Sequence, residues 1–250
     1  MAPEGGASGR RADYAGPVWY WVFKYVLLGP IAWWYLRLRW VGREHLPRSG
    51  PFILAANHLT MLDPVGVSMG VPRRVTFVAK TKYYAGTSLK RRALAWFLRA
   101  IGQVPIDPAS ATTANPALDT ARRILDEGGV MAMFPEGTRS PDGRLYRGHT
   151  GVMRLALPLG VPVIPVAVKG TREVRLPGQQ GAARGRVTIT YGEPFDVSPW
   201  QDRRDDPAAW REATDALMRH IGEMSGQEYA DRYPTDEERA ERDRRTGTED

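Results

Sequence analysis

The chain has 250 residues, 42% hydrophobic and 25% charged, which is enough apolar material to close a sizeable core and excludes wholesale disorder. Cysteine is absent, which excludes a disulfide framework, a thiolate metal site and a cysteine acyl-enzyme. The net charge of +7 favours an anionic partner such as phosphate, a membrane surface or nucleic acid, without choosing among them.

Residues 1–16, "MAPEGGASGRRADYAG", are small, polar and glycine-rich, lack the apolar core of a secretory signal, and read as a flexible tail. Residues 17–40 hold five of the eight tryptophans, interrupted by Lys24 and the Gly29-Pro30 pair. Neither half reaches the roughly 20 apolar residues of a membrane span. Aromatic residues favour the headgroup zone, and Arg37, Arg39 and Arg43 lie at the end of the stretch or just beyond it, so two short amphipathic helices in a membrane interface are expected. An aromatic hairpin packed on the core would have the same composition.

From Gly50 onward, short β-branched apolar runs alternate with helical patterns, which predicts an α/β fold with a mostly parallel sheet flanked by helices. The expected strands are "PFILAAN", "RVTFVA", "VMAMF", "VPVIPVAV" and "RVTITY". The first and fourth are almost continuously apolar, as strands covered on both faces should be, which leaves the others as candidate edges. Ser88 and Asn115-Pro116 open two helices, ending before Gly102 and Gly128, and Trp210, Ala213, Leu217, Ile221 and Met224 stripe a later one. Between Pro64 and Ile106 there are eight basic residues and no acid, a positive segment that suits either an anion-facing surface or a solvated face. After about Gln227 the chain is charged and nearly free of aliphatics, and reads as a frayed helix or a flexible tail.

Two constellations can carry chemistry. "ANHLTMLDP" places His58 at the carboxyl end of a buried strand, where ligands of open α/β sheets sit, with Asp63 in reach to hold one ring nitrogen if a helix begins near Thr60. Alone, the pair is equally a capped turn beside a surface histidine. "VMAMFPEGTRSPDG" is a second strand breaking into a polar loop. Gly137 permits close backbone approach, Thr138 offers a hydroxyl, Arg139 can fork onto phosphate, and Glu136 can accept from a hydroxyl or fix Arg139. An ordinary strand-to-helix turn would also contain these residues. Lys80, after "FVA", is either an anion ligand or a solvated strand end. His45, His58, His149 and His220 are scattered, so no metal site is expected. No Gly-x-Ser-x-Gly elbow supports a serine hydrolase, and the aromatics do not interleave with the basic run as nucleic-acid binding would need.

The order "NHLTMLDP", "FVAK", "IGQVPID", "FPEGTRS", "VPVIPVAV" resembles the glycerolipid acyltransferase family, of the bacterial 1-acylglycerol-3-phosphate acyltransferase type, over about residues 40 to 195. The resemblance implies His58 as general base, Asp63 as its orienter, no covalent acyl-enzyme, and Lys80 and Arg139 as ligands of the acceptor phosphate, with Glu136, Gly137 and Thr138 completing that loop. It implies acyl-CoA or acyl carrier protein as donor substrate, with no cofactor, and a lysophospholipid acceptor, most simply 1-acylglycerol-3-phosphate giving phosphatidic acid. A different lipid acceptor or a non-catalytic lipid-binding relative are the alternatives, because Pro108 stands where relatives usually carry arginine. The expected organisation is a flexible tail over 1–16, membrane-anchoring helices over 17–40, an acyltransferase domain over 41–226 and a charged flexible tail over 227–250. The expected location is monotopic, on the cytoplasmic face of the cell membrane and against an anionic surface.

Overall fold

The computed structural model describes residues 17–79, 88, 92, 95, 96, 98, 102–105, 115–174 and 185–246. The chain begins with helix α1 (Pro17–Trp21), a π-helical stretch (Val22–Leu27) and α2 (Leu28–Trp34), then β1 (Arg39–Val41), β2 (Phe52–Ala56), α3 (Asp63–Met69), β3 (Val75–Ala79) and β4 (Gln103–Pro105). It continues through α4 (Pro116–Asp126), β5 (Val130–Met133), β6 (Leu145–Tyr146), α5 (Gly151–Leu159), β7 (Val163–Lys169) and β8 (Thr188–Tyr191). The last elements are α6 (Pro207–Ser225), β9 (Tyr229–Ala230) and α7 (Asp236–Thr246).

Seven strands form one sheet in the order β1-β8-β7-β2-β5-β3-β4. Every neighbouring pair is parallel except β7 with β8. The α/β fold with a mostly parallel sheet is therefore the one expected, and all five anticipated strands are present. The edges differ from expectation: they are β1 and β4, three residues each and too short to show a period. β2 and β7 are central, as their continuous apolar runs require.

Side-chain parity divides the core. Phe52, Leu54 and Ala56 of β2 join Val130 and Ala132 of β5 in one apolar cluster with Ala32 and Leu36 of the N-terminal segment. Ile53 and Ala55 point to the opposite face and pack with α4, α5 and α6. The stripe on α6 is core, with Ala213, Leu217 and Ile221 fully buried. Asn115 caps α4 by accepting from Leu118 N, as its position before Pro116 predicts. Of the helix expected from Ser88, most residues lie outside those described, as do the tail over 1–16 and Pro108.

Three expectations are corrected. Gly29-Pro30 does not split the aromatic segment: the helical run is continuous from 17 to 34, and the turn ahead of Pro30 is π-wound, a known accommodation where a proline withholds its N–H. Lys24 is not a break but a buried peg, its ammonium donating to Val71 O at 2.5 Å and lying within 5.5 Å of the Tyr20, Trp21 and Tyr25 rings. Tyr20 adds a second peg by accepting from Val75 N through its hydroxyl.

The charged segment expected as a tail over 227–250 instead folds through residue 246. β9 pairs with β6, and α7 starts from a reciprocal capping box in which Glu238 N donates to Thr235 Oγ1 and Thr235 N to Glu238 Oε2. Acids fill the first turn of α7 and arginines its last, in keeping with the helix dipole.

Candidate active site

β2 and β5 run side by side, with Ala55 opposite Met133 as their last registered pair. His58 and Glu136 each lie three residues beyond that pair, so the two loops leave the sheet at one height. Main-chain contacts lock them together: His58 N donates to Glu136 Oε1 at 2.8 Å, and Ser140 N donates to His58 O at 2.7 Å. The other oxygen of Glu136 accepts from Tyr146 N at 3.0 Å. Glu136 is 1% exposed, and its carboxyl ties its own loop to the His58 loop and to β6. Burial pushes its pKa up to about 8, against the lowering effect of the Tyr146 and His58 N–H groups.

His58 Nδ1 lies 2.8 Å from Asp63 Oδ2. The spacing does not come from a helical turn, as a helix from Thr60 would have given. α3 starts at Asp63 itself, and residues 59–62 form a turn closed by the Asp63 carboxylate, which also accepts from Leu59 N at 2.5 Å and Thr60 N at 2.7 Å. A wholly buried carboxylate oxygen that accepts three N–H groups is fixed in place. It orders the ring so that Nδ1 carries the proton and Nε2 the lone pair. The imidazole keeps part of its edge in solvent and stacks on Phe134 at 3.9 Å and 16°. Asn57, fully buried, continues the β2–β7 pairing with its side chain, bonding both the N–H and C=O of Val168, and donates to Gln227 Oε1.

Behind β5, Phe134 to Gly137 form a tight turn, with Gly137 N donating to Phe134 O and Gly137 at φ +70°. A Cβ there would lie 2.9 Å from His149 Cδ2, so both conformation and space require glycine. Thr138 Oγ1 accepts from Arg242 Nη1 at 2.9 Å, and Arg139 Nη2 donates to Asp243 Oδ1 at 3.3 Å. Arg139 is 3% exposed. The structure thus brings His58, Asp63, Glu136, Gly137, Thr138 and Arg139 to one end of the sheet, while Lys80 lies outside the described residues. Among the described residues, no group of three or more histidine and acidic side chains converges as metal ligands would.

Phe134, Tyr146, Gln227, Arg242 and Asp243 belong to this site and were not anticipated as part of it. Phe134 stands in the quoted loop but shows its purpose only through the stack. For Arg242 the available signal was the Thr235-to-Glu238 capping pattern, which marks a helix start in a segment otherwise read by its charge alone.

A family model described as Acyltransferase matches residues 37–169, more than half of the chain and both of the loops that follow β2 and β5. The chain belongs to the acyltransferase family. The chloroplast 1-acyl-sn-glycerol-3-phosphate acyltransferase BAT2 of Brassica napus is 29% identical over 156 residues, 62% of this chain and 44% of the relative. The 1-acyl-sn-glycerol-3-phosphate acyltransferase of Bacillus subtilis is 26% identical over 187 residues, 73% of this chain and 85% of that one. This acyltransferase-family chain spans less than half the length of the first plant relatives it matches. Its fold is that of the 1-acyl-sn-glycerophosphate acyltransferase PlsC of Thermotoga maritima, with a TM-score of 0.60 at 24% identity, covering 82% of this chain and 79% of the other.

Proposed function

We propose that this chain is a membrane-associated O-acyltransferase that moves an acyl group from a thioester, acyl-CoA or acyl carrier protein, to the hydroxyl of 1-acylglycerol-3-phosphate, yielding phosphatidic acid. The observation that carries this reading is the His58–Asp63 pair, held at 2.8 Å at the carboxyl end of β2 directly beside the Arg139 loop. The names of the relatives support the substrate class.

His58 Nε2 accepts the acceptor's hydroxyl proton as the oxygen attacks the thioester carbonyl. Asp63 stabilises the imidazolium that forms, and general-base assistance of this kind is worth about 10² to 10⁴-fold. Collapse of the tetrahedral intermediate breaks the carbon–sulfur bond, and the imidazolium returns its proton to the departing thiolate. Ester and free thiol are the products, and His58 ends as it began. Arg139, with Lys80 in the same role, binds the acceptor phosphate, and Glu136 holds the two loops in register.

No described helix is long and apolar enough to cross a membrane. The run from 17 to 34 nevertheless exposes Val18, Trp19, Tyr25, Val26, Leu27, Trp33 and Trp34, a surface suited to lying in one leaflet. Its inner side shares the apolar cluster against which Phe134, the stacking partner of His58, packs, so the lipid-facing surface and the base stand on one side of the sheet. An amphiphilic acceptor would then reach His58 without leaving the interface.

The test is transfer of labelled acyl groups from acyl-CoA to 1-acylglycerol-3-phosphate by purified protein in detergent. Activity lost in His58→Ala is the expected outcome; full activity in that variant would remove the mechanism.

A further inference from the structure

β2 ends at Ala56, and Asn57, from which the His58 loop departs, has its whole amide engaged. Its Oδ1 accepts from Val168 N at 2.7 Å, and its Nδ2 donates to Val168 O at 2.9 Å and to Gln227 Oε1 at 2.6 Å. Gln227 Nε2 then donates to Gly143 O at 2.7 Å, Gly143 N to Ser140 Oγ at 2.9 Å, and Ser140 N to His58 O at 2.7 Å. These bonds close a ring that starts at Asn57, crosses Gln227 and the loop after β5, and returns to His58, the next residue in the chain. Each amide has one orientation in it, because Val168 N can only donate and Gly143 O can only accept.

Gln227 is delivered by an element that the core fixes. α6 buries Ala213, Leu217 and Ile221, and it closes with Gly226 at φ +68°, whose N–H donates to Gly222 O at 2.7 Å. Gln227 N donates to Ser225 Oγ at 3.3 Å, and Glu228 O, one residue on, accepts from Leu145 N at 2.9 Å. The main chain is therefore held on both sides of the bridging amide. Gln227 lies beyond residues 37–169, the stretch that the family model matches.

We propose that Gln227 is a positioning residue for the reaction. Through Asn57 and Gly143 it sets where the His58 loop leaves the sheet relative to the loop that carries Arg139, and so where His58 Nε2 meets the acceptor hydroxyl. The proposal rests on the acyl-transfer reading above. Asn57 is fully buried, so without Gln227 one of its N–H groups has neither that acceptor nor water, and turning to find another gives up a bond to Val168. A catalytic group misplaced by about 1 Å can lose about 100-fold in rate although its own chemistry is intact.

The test measures kcat, both Michaelis constants and melting curves for wild type and Gln227→Leu, which removes both side-chain hydrogen bonds, with the kinetics run well below either melting transition. kcat should fall about tenfold to 100-fold, with acceptor and donor Michaelis constants within about twofold of wild type. The imidazole carbon and nitrogen resonances of His58, in histidine-labelled protein and identified by their absence in His58→Ala, should shift in Gln227→Leu. An unchanged kcat overturns the proposal, as does a lower melting temperature with the His58 resonances unmoved, which is the signature of a brace that only adds stability. A change confined to the Michaelis constants overturns it too. Should Gln227→Leu fail to fold, Gln227→Glu decides, since it keeps the acceptor for Asn57 and loses the donor to Gly143; a wild-type kcat in that variant sinks the proposal. A wild type that transfers no acyl group to 1-acylglycerol-3-phosphate, while the His58 resonances move as stated, would sink the acyl-transfer reading and leave the positioning of His58 by Gln227 standing.

Discussion

Asp63 Oδ2 takes the ring N–H of His58 at 2.8 Å while also closing the turn that presents that ring, through Leu59 N and Thr60 N. One carboxylate oxygen thus orients the imidazole and shapes its loop. In Asp63→Asn an amide oxygen in the Oδ2 position can keep all three N–H groups, with its NH₂ toward Thr60 Oγ1, but it brings no negative charge to stabilise the imidazolium that the reaction forms. The expected result is a loss in kcat of about 10² to 10⁴-fold with a much smaller change in acceptor Michaelis constant. Steady-state kinetics on a variant with a native melting curve checks this, and a kcat within a few fold of wild type would show that Asp63 only closes the turn.

Phe134 fixes the other face of the ring. It stacks on His58 at 3.9 Å and is itself backed by Phe77 at 5.7 Å, so the imidazole is held between an aromatic wall and Asp63. Phe134→Leu keeps most of the volume and costs only about 1 kcal/mol of stability, but leaves the ring free to tilt. The expected signature is a several-fold drop in kcat, with a small fall in melting temperature. A drop in melting temperature alone would make Phe134 a packing residue.

Much of this arrangement was legible in the sequence, for reasons that can be named. β2 and β7 lie in the middle of the sheet and must be apolar on both faces, so "FILAA" and "VIPVAVK" declare themselves. His58 and Arg139 follow strands directly, and parallel strands deliver such residues to one edge. The edge strands β1 and β4 were illegible because three residues carry no period, and α7 was legible only as a frayed helix or a flexible tail because it has no apolar stripe. The function of Glu136 was hidden for a different reason. Its partners are backbone N–H groups of His58 and Tyr146, and no side-chain pattern reports those.

Two buried groups give stability opposite slopes with pH. The folded-state pKa of Glu136 is pushed up to about 8 by burial, from an ordinary 4.5, so folding holds a proton the unfolded chain has lost and stability falls as pH rises from about 4.5 to about 8. Lys24 is lowered to about 8, first by burial and then by Arg43, from an ordinary 10.5, so its burden is present at low pH and lifts as pH rises from about 8 toward 10.5. The two contributions together predict a minimum near pH 8. Glu136→Gln should flatten the acidic limb while costing about 1 to 3 kcal/mol at pH 5, where the amide meets a backbone N–H. Lys24→Met should flatten the alkaline limb. Melting temperatures from pH 4.5 to 10.5 test both, and a Glu136→Gln curve parallel to wild type would mean that Glu136 is ionised throughout.

The aromatic surface of the N-terminal run should be the membrane contact. Trp33 is 76% exposed and Trp34 57%, while Tyr20, Lys24 and Ala32 of the same run are buried, so the outer residues are not needed to hold the helix on the core. Trp19 and Trp96, both exposed, meet around the half-buried Phe23 with ring centroids 5.1 to 6.4 Å apart. Burying a large side chain in an apolar phase is worth about 1.5 to 3 kcal/mol, so replacing both Trp33 and Trp34 with serine should weaken partitioning onto anionic vesicles by at least about tenfold. Because neither residue is near His58 in the hydrogen-bond network described, transfer to a soluble short-chain acceptor should be unaffected while transfer to vesicle-borne acceptor falls. Vesicle co-sedimentation together with the two assays separates these effects. Unaltered sedimentation of the double variant would place the membrane contact elsewhere, the basic run between Pro64 and Ile106 being the next surface to test.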